Sequence, residues 1–385
     1  MSARPSVTLV RGEALNPFEL QVYAPITQAF AMTAVGRRKP PYEVDHLPVP
    51  TMLLPSLGQW RLSRAVHRRL VGRGAPWTDP DRLLGFGRRV GRQDILHAAE
   101  TVLPVTEQAA EAAVRTGAKL VVTCWETIPF RYDDDPALAA RKVKVRAAAT
   151  RYVAVTRRAR DALLTEGVHP DRITVVPAAV DCQVFRPGDR SGQLRRELGW
   201  PSGGPTVLYV GRLIQEKGVV ELVRAFALAA PRHARLVIVG NGNQGGRVAI
   251  AAREAGIAER VHVRPGLPYR RLPELYDLAD LVVAPSLTTP YWEEQFGMVL
   301  AEAMACGRPL LTTRSGAIPE VVGPAAELVD PYDVAGLAGA LCRLLHDGAR
   351  RAELSAAGRV RALEHYDVPV VAAQLEQVYR EVLDS

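Results

Sequence analysis

The feature that most constrains this chain is a rhythm that runs twice. In the first half, short apolar runs alternate with Ala-rich helical stretches, the pattern of βα units that build a parallel sheet. The runs Ser6 to Val10, Gln93 to Leu96, Lys119 to Thr123 and Tyr152 to Val155 read as strands, and Ile173 to Val176 closes the series. Thr106 to Thr116 and Ala137 to Ala149 read as the helices between them. Turn residues crowd positions 177 to 187, a helix is expected from Ser191 to Leu198, and Trp200-Pro201-Ser202-Gly203-Gly204-Pro205 breaks the chain. The rhythm then restarts. Strands are expected at Thr206 to Val210, Arg235 to Val239, Val261 to Arg264, Leu281 to Ala284 and Pro309 to Thr312. The helices expected between them are Val219 to Ala229, Arg247 to Ala255, Arg271 to Leu278 and Gly297 to Ala305.

A chain of 385 residues exceeds the size at which one hydrophobic core stops growing. The expectation is therefore α/β, with two Rossmann-like domains whose parallel sheets face a central cleft: 1–180, then 181–365. A final apolar-striped helix, 366–385, is left to pack on one of them, the first being the candidate. In such sheets ligands bind at the carboxyl ends of the strands.

Several classes fall away on composition. No apolar run approaches the ~18 residues that cross a bilayer, and the start leads straight into a strand-like run without a signal-peptide pattern. A cytoplasmic protein is expected. Cys124, Cys182, Cys306 and Cys342 lie far apart and form no CxxC or Cys/His cluster, so no metal and no redox role is expected. The net charge of +8 is uneven: residues 1–180 hold 26 Lys and Arg against 17 Asp and Glu, and the remainder 23 against 24. Such a first half suits an anionic partner, a membrane surface or a phosphorylated acceptor. Much of the excess lies between Arg61 and Arg92, where Arg64, His67, Arg68, Arg88 and Arg89 alternate with apolar residues; a solvated helix face reads equally well. No nucleic-acid partner is expected.

The segment richest in chemistry runs from Glu294 to Gly307. A polar, aromatic loop after an apolar strand enters a helix near Gly297, so backbone N–H groups from Phe296 to Val299 lack intrahelical partners and attract phosphate. Glu294 and Glu302 bracket this turn, and carboxylates accept hydrogen bonds from vicinal hydroxyls. A second segment, Gly211-Arg212-Leu213-Ile214-Gln215-Glu216-Lys217-Gly218, follows the first strand of the second half. Arg212 supplies a planar fork and Lys217 a point charge, together a receptor for a pyrophosphate.

In this order and separation the two segments resemble the retaining GT-B glycosyltransferases of the glycosyltransferase family 4 type, whose hallmark is two glutamates with seven residues between them. Val180-Asp181 with Phe185-Arg186-Pro187, Val239-Gly240-Asn241-Gly242 and Ser315-Gly316-Ala317-Ile318-Pro319-Glu320 add to the resemblance, which is strong over the second half and weak over the first. It implies a nucleotide sugar donor, with UDP favoured and GDP-mannose open, a hydroxyl-bearing acceptor and no cofactor. Glu294 would bind hydroxyls of the donor sugar and Glu302 the ribose. Arg212 and Lys217, with Gly211 and the N–H groups of Met298 and Val299, would hold the diphosphate, and Gly266 and Leu267 would border the base. In the first domain Gly12 would approach the donor phosphate, and His97 would stand near the donor sugar. The implied mechanism is a front-face displacement with retention, in which the leaving phosphate takes the acceptor proton.

Two other classes stay open. Gly240-Asn241-Gly242-Asn243-Gln244-Gly245 matches the dinucleotide fingerprint of an NAD(P)-dependent oxidoreductase, although Arg264-Pro265 stands where an acidic ribose ligand belongs. A sugar-nucleotide-binding module without catalysis would share the same residues. Asp133-Asp134-Asp135 contains a metal-binding DxD pattern, but the following Pro136 makes a helix cap the better reading. Trp125, Tyr291 and Trp292 are candidates to stack on sugars.

Overall fold

The structure is a computed structural model that describes residues 4–42, 44, 46–56, 81–197 and 203–385. Its chain divides into two compact units, Met1–Ala179 with Val368–Ser385, and Val180–Asp367.

Among the described residues the first unit holds seven parallel strands: β1 (Ser6–Gly12), β2 (Ala31–Arg37), β3 (Thr51–Leu54), β4 (Ile95–Ala99), β5 (Lys119–Cys124), β6 (Arg151–Ala154) and β7 (Ile173–Val175). They lie in the order β3-β2-β1-β4-β5-β6-β7. Side chains alternate across a strand, so each run feeds two cores. Leu96, Leu120 and Val122 pack beneath the helices Pro104–Thr116 and Pro136–Ala148. Leu9, Ile95 and Val121 face the other way, against Val371, Leu375 and Tyr379 of the terminal helix Val368–Asp384. That helix buries Val368, Val371, Ala372, Leu375, Val378, Tyr379 and Val382, a stripe at helical spacing. At about 1.5–3 kcal/mol for each large apolar side chain removed from water, the stripe accounts for its return to the first sheet.

The second unit repeats the plan with six parallel strands among its described residues: β8 (Thr206–Val210), β9 (Arg235–Val239), β10 (Val261–Arg264), β11 (Leu281–Ala284), β12 (Leu310–Thr313) and β13 (Glu327–Val329), ordered β10-β9-β8-β11-β12-β13. Val207, Tyr209, Ile238 and Val283 meet the helices Val219–Ala229 and Val334–His346 in one core.

Strand order reverses between β1 and β4 in the first unit and between β8 and β11 in the second. Those two switch points are where open α/β sheets leave a crevice for ligands. Among the described residues no helix is long and apolar enough to cross a membrane. Arg64, His67 and Arg68 of the basic stretch, Leu198 at the end of the expected helix, and the 200–202 part of the expected breaker lie outside the described residues.

Candidate nucleotide-sugar site

The site is built at the switch point of the second sheet. The loop after β8 is zipped to the loop after β9: Gly211 N–H donates to Val239 O at 3.0 Å, and Leu213 N–H to Asn241 O at 2.9 Å. This contact explains the glycines of the dinucleotide-like motif. A Cβ on Gly240 would stand 1.8 Å from Gly211 O, and one on Gly242 2.2 Å from Leu213 O. The motif's first two glycines are thus taken up by loop-against-loop packing, which sets the direction of the Gly211–Gly218 segment.

Lys217 closes that segment and meets Glu294 across the crevice, Nζ to Oε2 at 2.6 Å. The Ser286 hydroxyl, two residues beyond β11, donates to the same oxygen at 2.7 Å. Lys217 Nζ also lies 5.2 Å from the centroid of the Trp292 ring, a cation–π contact on its other side. The Glu294 backbone is fixed by Ala317 N–H, which donates to its carbonyl at 2.8 Å, and by Ser315 Oγ, which accepts its N–H at 3.3 Å. Burial opposes charge on the Glu294 carboxyl, yet the Lys217 ammonium, the Ser286 hydroxyl and the Arg212 charge outweigh it and hold the group below its usual range. A buried carboxylate therefore stays ionised beside a cation.

The helix Met298–Ala305 begins at the same corner. Its N-cap, Gly297, sits at φ 79° and provides no side-chain cap, so the first-turn N–H groups of Met298 and Val299 get no partner from that residue. Gly211, Lys217, Ser286, Glu294, Gly297 and Val299 line one pocket. Phe296 is not in that lining; its ring is buried edge-on against Tyr366 at 5.4 Å, and it anchors the turn from below. Glu302 points into the protein too, where Tyr276 Oη donates to Oε2 at 2.7 Å. Burial pushes its carboxyl up to about 7, against the pull of hydrogen bonds from Tyr276 and Tyr269.

Two family models match consecutive parts of the chain: "Glycosyltransferase Family 4" over residues 30–184 and "Glycosyl transferases group 1" over residues 191–361. The chain belongs to the family 4 type of GT-B glycosyltransferases. It is 39% identical over 231 residues to a D-inositol 3-phosphate glycosyltransferase of Acidothermus cellulolyticus, covering 56% of this chain and 50% of that one. Identity is 34% over 229 residues to an MMP alpha-(1->4)-mannosyltransferase of Mycolicibacterium hassiacum, covering 58% and 52%. The chain thus spans about half the length of these curated relatives. In fold it is similar to Anabaena Alr3699/HepE, solved in complex with UDP, with a TM-score of 0.78 at 18% identity over 98% of this chain and 100% of that one.

Within this GT-B chain the remaining sequence candidates separate. Arg212 is exposed on the Gly211 loop, and its charge reaches Glu294. Gly266 and Leu267 follow β10, and a Cβ on Gly266 would lie 3.2 Å from Asn241 Nδ2, which places them on the same carboxyl rim. Gly12 ends β1 at φ 58°, and a Cβ there would meet Val105 Cγ1 at 2.8 Å. His97 is fully enclosed: Nδ1 pairs with Tyr379 Oη at 2.6 Å and Nε2 with Thr123 Oγ1 at 2.7 Å. Burial, reinforced by the Arg11 charge, drives its pKa well below 6.5. This is the setting of a neutral histidine that ties the terminal helix to β4 and β5, and it corrects the expectation of a side chain open to a ligand.

Sequence reasoning passed over Ser286 and Tyr276, and it named Ser315 only as part of the Ser315–Glu320 segment, without a role. Ser286 carried a signal, a hydroxyl just beyond the carboxyl end of an apolar strand; Tyr276 carried none, since its partner is 26 residues away. Asp135 accepts the N–H groups of Ala137 and Leu138 as the cap of its helix, and Asp133 bonds Lys142 at 2.7 Å. Among the described residues no group of three His, Cys, Asp or Glu is placed to hold a metal ion.

Proposed function

We propose that this chain transfers a hexose from a nucleoside diphosphate sugar to a hydroxyl acceptor, with retention at the anomeric carbon and without a metal. The observation that carries the reading is the single pocket shared by Gly211, Lys217, Glu294, Gly297 and Val299 at the second switch point. Lys217 and Arg212 would face the diphosphate with the N–H groups of Met298 and Val299, where they offset the charge that develops as the bond to the anomeric carbon breaks. Glu294, ionised and held by Ser286, would accept hydrogen bonds from the donor sugar. Gly266 and Leu267 would border the base, while Glu302, turned inward onto Tyr276 Oη, would hold the helix beneath the pocket in place of the ribose role that the resemblance implies.

The acceptor oxygen would form its bond on the face the diphosphate leaves, and its proton would pass to the departing phosphate oxygen. His97 takes no part in this reading. A UDP-sugar is favoured, in line with the UDP of the Anabaena structure, and GDP-mannose stands second. The inositol 3-phosphate relative and the basic first half together support a phosphorylated polyol acceptor, and the same charge would suit an anionic membrane face.

The test is release of nucleoside diphosphate from UDP-glucose, UDP-N-acetylglucosamine and GDP-mannose, with and without D-inositol 3-phosphate, in excess chelator. Turnover of one donor with an α-linked product supports the reading. Turnover of none, or turnover only on addition of magnesium or manganese, overturns it.

A further inference from the structure

Lys217 is gripped from two sides by one short stretch of chain. Glu294 holds its ammonium at 2.6 Å, and two residues earlier the Trp292 ring stands 5.2 Å from the same Nζ. All three residues belong to the second unit. The Lys217 side chain keeps 17% of its surface open, so this grip leaves the ammonium accessible to an incoming anion. Trp292 is half-buried and does not line the pocket that Lys217 and Glu294 share, so Lys217 is its link to a ligand there.

The ring is fixed by its own turn. Thr289 N–H donates to Trp292 O at 2.7 Å and Trp292 N–H to Thr289 O at 3.4 Å, which leaves Tyr291 at the tip, 70% exposed. The base of the turn is tied to the body of the unit: the Thr288 hydroxyl donates to Ser315 Oγ at 2.9 Å, and Tyr332 Oη to the Thr288 carbonyl at 3.0 Å. Ser315 Oγ also accepts the Glu294 N–H at 3.3 Å, so one hydroxyl positions the backbone on both sides of the grip. Of the two neighbouring aromatics, one is therefore set against a cation and the other against solvent.

A lysine ammonium on a flexible four-carbon stem loses rotamer freedom whenever it binds phosphate. A carboxylate restrains it but uses up one of its three N–H donors. A ring face attracts the same charge and uses none, so it restrains the ammonium and leaves the other donors for an anion.

We infer that Trp292 is a positioning residue of the donor site, its ring fixing the Lys217 ammonium for the diphosphate of a nucleoside diphosphate sugar. The inference rests on the transferase reading above. Lys217 gives one N–H to Glu294, the indole holds the charge from the other side, and the remaining N–H groups are left for phosphate oxygens.

The experiment titrates wild type, Trp292→Phe, Trp292→Leu and Trp292→Gln with UDP and with GDP, and adds a denaturation cycle of Trp292→Leu with Lys217→Met in the nucleotide-free chain. Two ring-less variants are used so that a folding defect of one does not decide the result. Expected is affinity about tenfold weaker in Trp292→Leu and Trp292→Gln, with most of that loss regained in Trp292→Phe, which keeps a ring face. In the cycle the stability losses of Trp292→Leu and Lys217→Met should be less than additive, since the contact can be lost only once. Ring-less variants that bind within about twofold of wild type, a phenylalanine as weak as the leucine, or additive losses in the cycle each overturn the inference. A wild type that binds neither nucleotide removes the transferase reading and the inference with it, and the cycle tells that failure from a failure of the contact itself.

Discussion

Lys217 Nζ and Glu294 Oε2 stand 2.6 Å apart, with the Ser286 hydroxyl on the same oxygen and the Trp292 ring behind the ammonium. Each group sets the charge of the other: the cation keeps a buried carboxylate ionised, and the carboxylate fixes where the cation points.

Removing one member strands the other. Lys217→Ala is expected to cost about 2–4 kcal/mol, since breaking a buried pair leaves an uncompensated charge. Adding Glu294→Gln should recover much of that stability and none of the turnover. Chemical denaturation of both variants beside a turnover assay checks this. Additive stability losses would show that the pair is not coupled.

Glu302 makes stability fall as pH rises. Its carboxyl titrates near 7 in the folded chain against an ordinary 4.5, so between those values the folded state holds a proton the unfolded state has lost. The stabilisation is full below about 4.5 and is lost as pH climbs through 7, with a slope of about 1.4 kcal/mol per pH unit. Glu302→Gln should shallow that limb in a series of denaturation curves from pH 5 to 8, and what remains includes the share of Glu100, whose carboxyl burial also pushes up to about 7.

His97 acts on the other side. Its folded pKa lies well below 6.5, so beneath that value the unfolded chain takes up a proton that the folded chain refuses. Stability should fall as pH drops from about 6.5, again by about 1.4 kcal/mol per unit, and His97→Gln should remove this limb while lowering the plateau. A profile flat from pH 6.5 to 5 in a chain carrying both Glu100→Gln and Glu302→Gln, which removes the two opposing carboxyl limbs, would contradict the neutral, enclosed imidazole.

The parallel rhythm and the glutamate pair were legible because they rest on local order: apolar runs between helices, and two carboxylates bracketing a helix start. The strands Ala31–Arg37 and Thr51–Leu54 were not, since small and polar residues dilute the first and the second has four residues. Glu327–Val329 escaped for the same reason, with three residues and an acid among them. The place of His97 was hidden because its partner Tyr379 lies 282 residues on, and no spacing rule reaches that far. Gly240 and Gly242 looked like phosphate ligands because a tight approach to a carbonyl and a tight approach to an anion demand the same residue.

The central claim is that the corner formed by the Gly211 loop and the Met298 helix turn receives a nucleoside diphosphate. Isothermal titration of wild type and Arg212→Ala with UDP and with GDP tests it most directly, because Arg212 is exposed and its loss should leave the melting temperature in place. The expected result is saturable binding of one nucleotide by wild type, weakened about tenfold or more in the variant, roughly 1.4 kcal/mol. Binding of neither nucleotide, or equal affinity in both proteins, would contradict the account.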